Sequence, residues 1–196
     1  MEDVGDQMMN VLAVTGRRID ADDADQVRFS LMHVPDVHQA ITSAMRMMRI
    51  EAVVCSAACG ADLLALNAAS ELGIPAWIVL PFDRERFRET SVVDRPGDWG
   101  PIFDRHLDEA ERHNAVRLIG PVDDELEAYR LTLDAILDLA TTLANRDESE
   151  SPTRPTGQIA ALVVWDGASR GPDDFTAAFI EVARQRGILT RQLMIR

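Results

Sequence analysis

Short predicted strands that alternate with helical patterns are the feature that most constrains the fold of this chain. Residues 10–15, Ala52–Cys55 and 75–80 are short apolar runs, and the third shows no polar alternation, as expected of a strand that helices cover on both faces. Residues 35–49 and 61–72 carry helical patterns between these runs. The order strand, helix, strand, helix, strand is typical of a parallel sheet with right-handed crossovers.

The second half of the chain continues the alternation of helices and strands. Helices are predicted at 101–114, 123–145 and 173–186, and strands at 116–119, 158–165 and 188–195. We therefore predict an α/β fold: a Rossmann-like, doubly wound, mainly parallel sheet of about six strands with helices on both faces. The length of 196 residues suits a single domain spanning 1–196, and the polar, proline-containing stretch 146–157 is expected to be a flexible surface loop.

The charged residues narrow the range of partners. The formal net charge is −13, which argues against non-specific binding of nucleic acid and against binding to anionic membrane surfaces. The sequence contains no lysine, because all 20 basic residues are arginines. This composition excludes a P-loop lysine, a Schiff-base lysine and a lysine general base. A bound phosphate is therefore expected on arginine, on backbone N–H groups or on a metal.

The remaining composition predicts a cytoplasmic protein without a metal site. No apolar run approaches the roughly 20 residues of a membrane span, and the acidic N-terminus lacks a signal-peptide pattern. Cys55 and Cys59 are the only cysteines. They have no histidine at zinc spacing, and CxxxC is not a thioredoxin-type motif, so we predict free thiols in a reducing compartment.

A small-residue turn follows the second predicted strand. Ser56, Ala57, Ala58, Cys59 and Gly60 form this turn. A helix is predicted to open immediately afterwards, at residues 61–62. Because the turn has no bulky side chain, another molecule could approach its backbone closely. The free N–H groups and the dipole of the helix start favour an anion there. The alternative is a tightly packed strand-to-helix connection of the kind found in any α/β protein.

Polar residues and glycines also follow the other predicted strands. In an open parallel sheet, ligands bind beyond the carboxyl ends of the strands, where the strand order reverses. The groups at such ends are Thr15-Gly16-Arg17, the turn with Ala61 and Asp62, the stretch from Pro81 through Phe82 and Arg86 to Phe87, and Trp165-Asp166-Gly167. Their shared position predicts a site at this edge of the sheet.

The stretch after the third strand allows two interpretations. Arginines and aromatic residues interleave here, and this pattern suits a nucleotide, with phosphates on arginine and a base against an aromatic ring. The alternative is an amphipathic helix with charge pairs such as Glu85 and Arg88 on its solvent face.

Several motifs in their order along the chain resemble the SLOG superfamily. The motifs are Thr15-Gly16-Arg17, residues 56–62 with Leu72-Gly73-Ile74-Pro75 behind them, Leu80-Pro81-Phe82 and Trp165-Asp166-Gly167. This superfamily includes the Rossmann domain of DNA-processing protein A and the LOG-type phosphoribohydrolases. The resemblance covers the chain from about residue 10 to its end. It implies a Rossmann-like domain that binds nucleotides or nucleotide-derived ligands, in a sensory role or in a catalytic one.

The first hypothesis is a nucleotide-binding, sensory domain without catalysis. Arg17 would contact a phosphate, the N–H groups of 60–62 would hold phosphate or ribose, and Asp62 or Asp166 would accept hydrogen bonds from ribose hydroxyls. The expected ligand-binding residues are Thr15, Gly16, Arg17, Ser56, Ala57, Gly60, Ala61, Asp62, Pro81, Phe82, Arg86, Trp165, Asp166, Gly167 and Thr176.

The second hypothesis is hydrolysis of the N-glycosidic bond of a nucleoside monophosphate, as in the LOG branch. Such an enzyme needs a carboxylate near the anomeric carbon, and the candidates are Asp62, Asp166 and Glu85. LOG-type enzymes carry a PGGxGTxxE motif. In this chain Phe175 replaces the glycine that precedes the threonine, here Thr176, and Phe179 replaces the glutamate. This departure favours a non-catalytic role.

The third hypothesis is a degenerate, non-binding interaction domain. Two glycines that many SLOG members carry in the turn are replaced here by Ala57 and Ala58. The added Cβ atoms narrow the space for a phosphate. A homodimer is compatible with the methionine-rich face of the helix predicted at 35–49, although burial of that face within the domain would explain it equally.

Overall fold

The computed structural model describes residues 9–145 and 157–195. The strands are β1 (Val11–Gly16), β2 (Ala52–Cys55), β3 (Ala76–Leu80), β4 (Val116–Leu118), β5 (Ile159–Trp165) and β6 (Leu189–Met194). The helices are α1 (Val34–Met47), α2 (Ala61–Glu71), α3 (Arg84–Ser91), α4 (Gly100–Arg112), α5 (Glu125–Ala144) and α6 (Phe175–Gln185), with a short 3-10 turn at Leu31–His33 before α1.

The six strands form one sheet in the order β4-β3-β2-β1-β5-β6. Every neighbouring pair is parallel, so the predicted Rossmann-like α/β fold is confirmed. The chain moves outwards from β1 through β2 and β3 to β4, and then returns to the other side of β1 with β5. The order therefore reverses between β1 and β5, where Thr15 lies opposite Val163 and Gly16 opposite Val164.

Helices cover both faces of the sheet, as predicted. Because successive residues of a strand point to opposite faces, Leu12 and Val14 are buried in one layer with α1, α2, α3 and α4. Val11 and Ala13 are buried in the other layer with α5 and α6. All four residues are fully buried. The continuous apolar runs seen in the sequence thus come from strands that are packed on both faces.

The predicted bounds of these elements differ from the observed ones by one or two residues at most ends. The stretch after β3 forms the amphipathic helix α3, whose first backbone N–H groups are capped by Asp83 through a hydrogen bond from the N–H of Arg86. The loop expected at 146–157 lies, apart from Gly157, outside the described residues. Among the described residues, no helix is both long enough and apolar enough to cross a membrane.

Candidate functional site

A cleft of about 570 Å³ opens at the carboxyl edge of the sheet. The ends of β1 and β2, the first residues of α2 and α6, and side chains of α3 and α5 line it. The loop that follows β1 forms a further wall with Asp20, Asp25 and Arg28. The cleft therefore lies where the reversal of strand order places ligands in doubly wound folds, and its volume is within the range of small-molecule pockets.

The N-terminus of α2 is occupied by the chain itself. The N–H of Ala61 donates to the carbonyl oxygen of Arg17 at 3.2 Å. Gly60 has a φ of 93°, and a Cβ at this position would lie 2.7 Å from the same oxygen. A Cβ at Gly16 would lie 2.4 Å from the carbonyl oxygen of Val164 and 2.6 Å from the Cβ of Ala61. The backbone that follows β1 therefore packs closely against the small-residue turn, in the space that the sequence suggested a ligand could use.

Arg17, the residue predicted to contact a phosphate, does not line the cleft and is bound to residues between β5 and α6. Its Nε donates to Asp166 at 2.9 Å, and its Nη1 donates to Asp174 at 2.7 Å. Its Nη2 donates to the carbonyl oxygen of Ala168. Only 1% of the side chain is exposed. The guanidinium therefore ties the end of β1 to the segment between β5 and α6.

Asp174 caps the N-terminus of α6. Its Oδ1 accepts hydrogen bonds from the N–H groups of Thr176 and Ala177 at 3.1 and 3.3 Å, in addition to the bond from Arg17. Its Oδ2 accepts from the N–H of Arg170 at 2.7 Å. Burial works to raise the pKa of Asp174, but the hydrogen bond from Arg17 and the backbone bonds outweigh it, so the pKa lies below its ordinary value.

Asp62 lines the cleft and carries a buried atom without a hydrogen-bond partner among the described residues, as Arg18 does through its Nε. Asp62 is 6% exposed and lines the cleft from the first turn of α2. Its Oδ2 accepts from the N–H of Ala58 at 3.2 Å. Its Oδ1 is buried without a hydrogen-bond partner among the described residues. Burial raises the pKa of Asp62 to about 7, opposed by the bond from Ala58 and by the charge of Arg18.

Four guanidinium groups line the cleft, and three of them are paired. Arg18 and Arg95 both bind Asp94, and Arg28 binds Asp166. Arg170 is exposed and makes no ion pair with a residue in 9–145 or 157–195. Burial and the charge of Arg17 lower the pKa of Arg170. Arg170 is therefore the cationic side chain of the cleft that is free of internal partners in the described part of the chain.

The structure brings some of the predicted ligand-binding residues together in the cleft and leaves others outside it. Those that line the cleft are Thr15, Gly16, Ser56, Asp62 and Thr176. Those that do not line it, within the described residues, are Arg17, Ala57, Gly60, Ala61, Pro81, Phe82, Arg86, Trp165, Asp166 and Gly167.

The other two catalytic candidates also lie away from the cleft lining. Glu85 is exposed on α3. Asp166 is held between Arg17 and Arg28. Burial works to raise the pKa of Asp166, but hydrogen bonding to Arg17 outweighs it and lowers the pKa. A carboxylate that is paired in this way is a poor proton donor, so Asp62 is the candidate best placed for acid–base chemistry.

The aromatic and arginine residues after β3 interact with one another. The guanidinium of Arg86 stacks on Phe82, 3.8 Å from the ring centroid, and pairs with Glu125 at 3.2 Å. Phe82 in turn meets Tyr129 edge to face, with 5.4 Å between the centroids. The interleaved pattern therefore forms an internal stack in this structure, which agrees with the amphipathic-helix interpretation.

Sequence reasoning did not identify the aromatic wall of the cleft. Tyr129 and Phe175 form this wall, with ring centroids 5.2 Å apart. The hydroxyl of Tyr129 is 2.9 Å from that of Ser91. Tyr129 falls on the buried stripe of α5, and a side chain on such a stripe shows no local sign that it borders a cavity. Arg28, Arg95 and Arg170 were missed because they lie in loops.

Comparison with models of known protein families and with curated proteins gives no match for this chain. Within residues 9–145 and 157–195, no group of three His, Cys, Asp or Glu side chains is placed to share a metal ion.

Proposed function

We propose that the chain binds a nucleotide or nucleotide-derived small molecule in this cleft, in a sensory role. The observation that carries the proposal is the buried Oδ1 of Asp62, which has no partner among the described residues and belongs to a residue that lines the cleft. An unsatisfied buried carboxylate oxygen is costly. A ligand that donates a hydrogen bond to this oxygen would remove that cost, as a ribose hydroxyl or a base N–H group does.

The rest of the lining suits the same class of ligand. Tyr129 and Phe175 offer aromatic surface for a base. Ser56 and Thr176 offer hydroxyl groups, and Arg170 offers a guanidinium for an anionic group. The resemblance of the motifs to the SLOG superfamily points to the same ligands.

A thermal-shift screen against ribonucleotides, cyclic nucleotides, ADP-ribose and NAD tests the proposal. A ligand at about 100 times its dissociation constant adds about 2.7 kcal/mol to the stability of the folded state, which corresponds to about 5–10 °C for a chain of this size. The dissociation constant of each hit is then measured calorimetrically for the wild type and for Asp62→Asn. At pH 8, where most of Asp62 is ionised, we expect Asp62→Asn to weaken binding about fivefold, because the carboxamide keeps an acceptor oxygen but replaces a hydrogen bond to a charged group by a neutral one.

Asp36→Asn is the matched control, because Asp36 is exposed in the first turn of α1 and does not line the cleft. It should leave the affinity unchanged. If no compound binds to the wild-type protein once any co-purified nucleotide has been removed, the proposal fails. The chain would then be better described as an interaction domain.

The raised pKa of Asp62 favours one second candidate, hydrolysis of the N-glycosidic bond of a nucleoside monophosphate. With a pKa of about 7, Asp62 holds both protonation states near neutral pH, as a general acid or base requires. Asp62 would give its proton to the base as the bond from the anomeric carbon to the base nitrogen breaks. Water would form the new bond to the anomeric carbon and return a proton to Asp62. Chromatography would detect free base and ribose phosphate. Products that persist in Asp62→Asn would remove Asp62 from this role.

A further inference from the structure

Three helices, α2, α5 and α6, line the cleft with residues of their first turn, and Asp124 caps α5 by accepting from the N–H groups of Leu126 and Glu127. The N-termini of the other two are likewise occupied by acceptors from the chain. Such N-termini are the usual binding positions for a phosphate in folds of this type. The carbonyl oxygen of Arg17 accepts the N–H of Ala61 at the start of α2. The carboxylate of Asp174 accepts the N–H groups of Thr176 and Ala177 at the start of α6. A ligand phosphate at either position would have to displace an acceptor that is already bound.

Asp174 has the surroundings that a bound oxyanion would have. Two helix N–H groups, the backbone N–H of Arg170 and the guanidinium of Arg17 all donate to its two oxygens. Its side chain is 0% exposed. Together these donors form a complete anion site, and the site is permanently filled by a carboxylate of the chain.

The interior of the cleft instead presents a hydrogen-bond acceptor. Asp62 is more than nine-tenths buried, and its Oδ1 has no partner among the described residues. When Asp62 is ionised, this atom accepts a hydrogen bond from a donor on the ligand, which a phosphate dianion does not have. The guanidinium of Arg18, which also lines the cleft, is already paired with Asp94. The guanidinium that is free of internal ion pairs in the described chain, that of Arg170, is exposed to solvent.

We infer that the cleft selects the uncharged, hydrogen-bond-donating part of a nucleoside, and that a phosphate adds little affinity because it can lie only at the solvent-exposed edge beside Arg170. The inference rests on the proposed function and narrows it to ligands of the nucleoside type. Asp174 acts here as a specificity-determining residue, because its carboxylate excludes a ligand phosphate from the start of α6.

The test compares each of adenosine, guanosine, cytidine and uridine with its own 5′-monophosphate, by calorimetry on the wild-type protein. We expect a nucleoside and its monophosphate to differ in affinity by less than about fivefold. A phosphate held by two charge-assisted hydrogen bonds would improve affinity by more than about 100-fold. A monophosphate that binds more than 30-fold tighter than its nucleoside would overturn the inference while leaving the proposed function intact. If neither compound of any pair binds but a cyclic nucleotide, ADP-ribose or NAD does, the inference falls and the proposed function stands; if no compound of either set binds, both fall.

Asp174→Ser provides the complementary test. Serine retains a hydroxyl suited to capping α6, but it vacates the volume and the charge of the carboxylate. We expect this variant to gain at least about tenfold in preference for monophosphate over nucleoside. The matched control is Asp83→Ser, which removes an exposed capping carboxylate from α3, at a helix start that does not line the cleft, and should leave the preference unchanged. An equal preference in the two variants would contradict the role given to Asp174, and the wild-type comparison decides the inference even if Asp174→Ser does not fold.

Discussion

The Asp62→Asn substitution should change the way in which stability depends on pH. In the wild type, Asp62 keeps its proton up to about pH 7 in the folded state, whereas the ordinary pKa is 3.8. Between these values the folded state binds more protons than the unfolded state, so the stability that Asp62 contributes falls as the pH rises. At about 1.4 kcal/mol per pH unit, the loss from pH 5 to pH 8 is about 2.5 kcal/mol. Asparagine does not titrate, and this component should vanish from the variant.

Urea denaturation of both proteins at pH 5, 6, 7 and 8 measures the effect. The quantity of interest is the difference in unfolding free energy between variant and wild type, which should move in favour of the variant by about 2.5 kcal/mol across this range. The fixed cost of burying the carboxamide is the same at every pH and does not affect this change. In Asp36→Asn, an exposed position, the difference should stay constant.

A pH-independent difference for Asp62→Asn would refute the reasoning. It would mean that Asp62 ionises in the folded state as an ordinary aspartate does, so that its Oδ1 is solvated or paired. The argument from an unsatisfied acceptor in the cleft would then fail with it.

Three further predictions concern the framework of the site. Arg17→Met leaves the buried Asp174 without its guanidinium partner and should lower the free energy of unfolding, measured in urea, by about 3–5 kcal/mol. Arg184→Met, which removes an exposed ion pair on α6, should lower it by less than about 1 kcal/mol. Equal losses in the two variants would contradict the structural role of Arg17. Gly16→Ala places a Cβ 2.4 Å from a backbone oxygen and should lower the free energy of unfolding by at least about 2 kcal/mol. Gly120→Ala, whose added Cβ has no atom within 4 Å, should leave it nearly unchanged. Both cysteines are buried, and burial raises the pKa of both thiols, so they should react with a thiol reagent such as DTNB only after unfolding; rapid reaction of the native protein would show that this part of the core is open.

The strands and helices could be predicted because their signals are local. Ala52–Cys55 is an unbroken apolar run between polar residues, and α2 ends beside Gly73, which has a φ of 68° as a helix-terminating glycine should. The parallel order followed from the alternation of the two kinds of segment. The position of the cleft followed in turn, because a doubly wound sheet has a reversal point whatever its side chains are.

The roles of single residues could not be predicted in the same way. Arg17 and Trp165-Asp166-Gly167 were assigned to the ligand because they follow neighbouring strands, but proximity to a site does not say which side chains pair with each other. Phe82 and Arg86 are an aromatic residue and an arginine, the residue types that bind a base and a phosphate, but in the fold they stack on each other. Ser56 and Asp62 were placed in the cleft as expected.

The sequence by itself determined the parallel α/β architecture and the edge of the sheet at which polar groups collect, since both depend on patterns only a few residues long. Only the tertiary structure decided which charged side chains form ion pairs with each other inside the protein. Arg17 meets Asp166 and Asp174 across 149 and 157 positions of the chain, and no local pattern specifies such a pair. The same long-range packing buries Asp62 at the cleft and leaves its Oδ1 without a partner among the described residues, because burial and hydrogen-bond satisfaction are properties of the assembled fold and not of any segment within it.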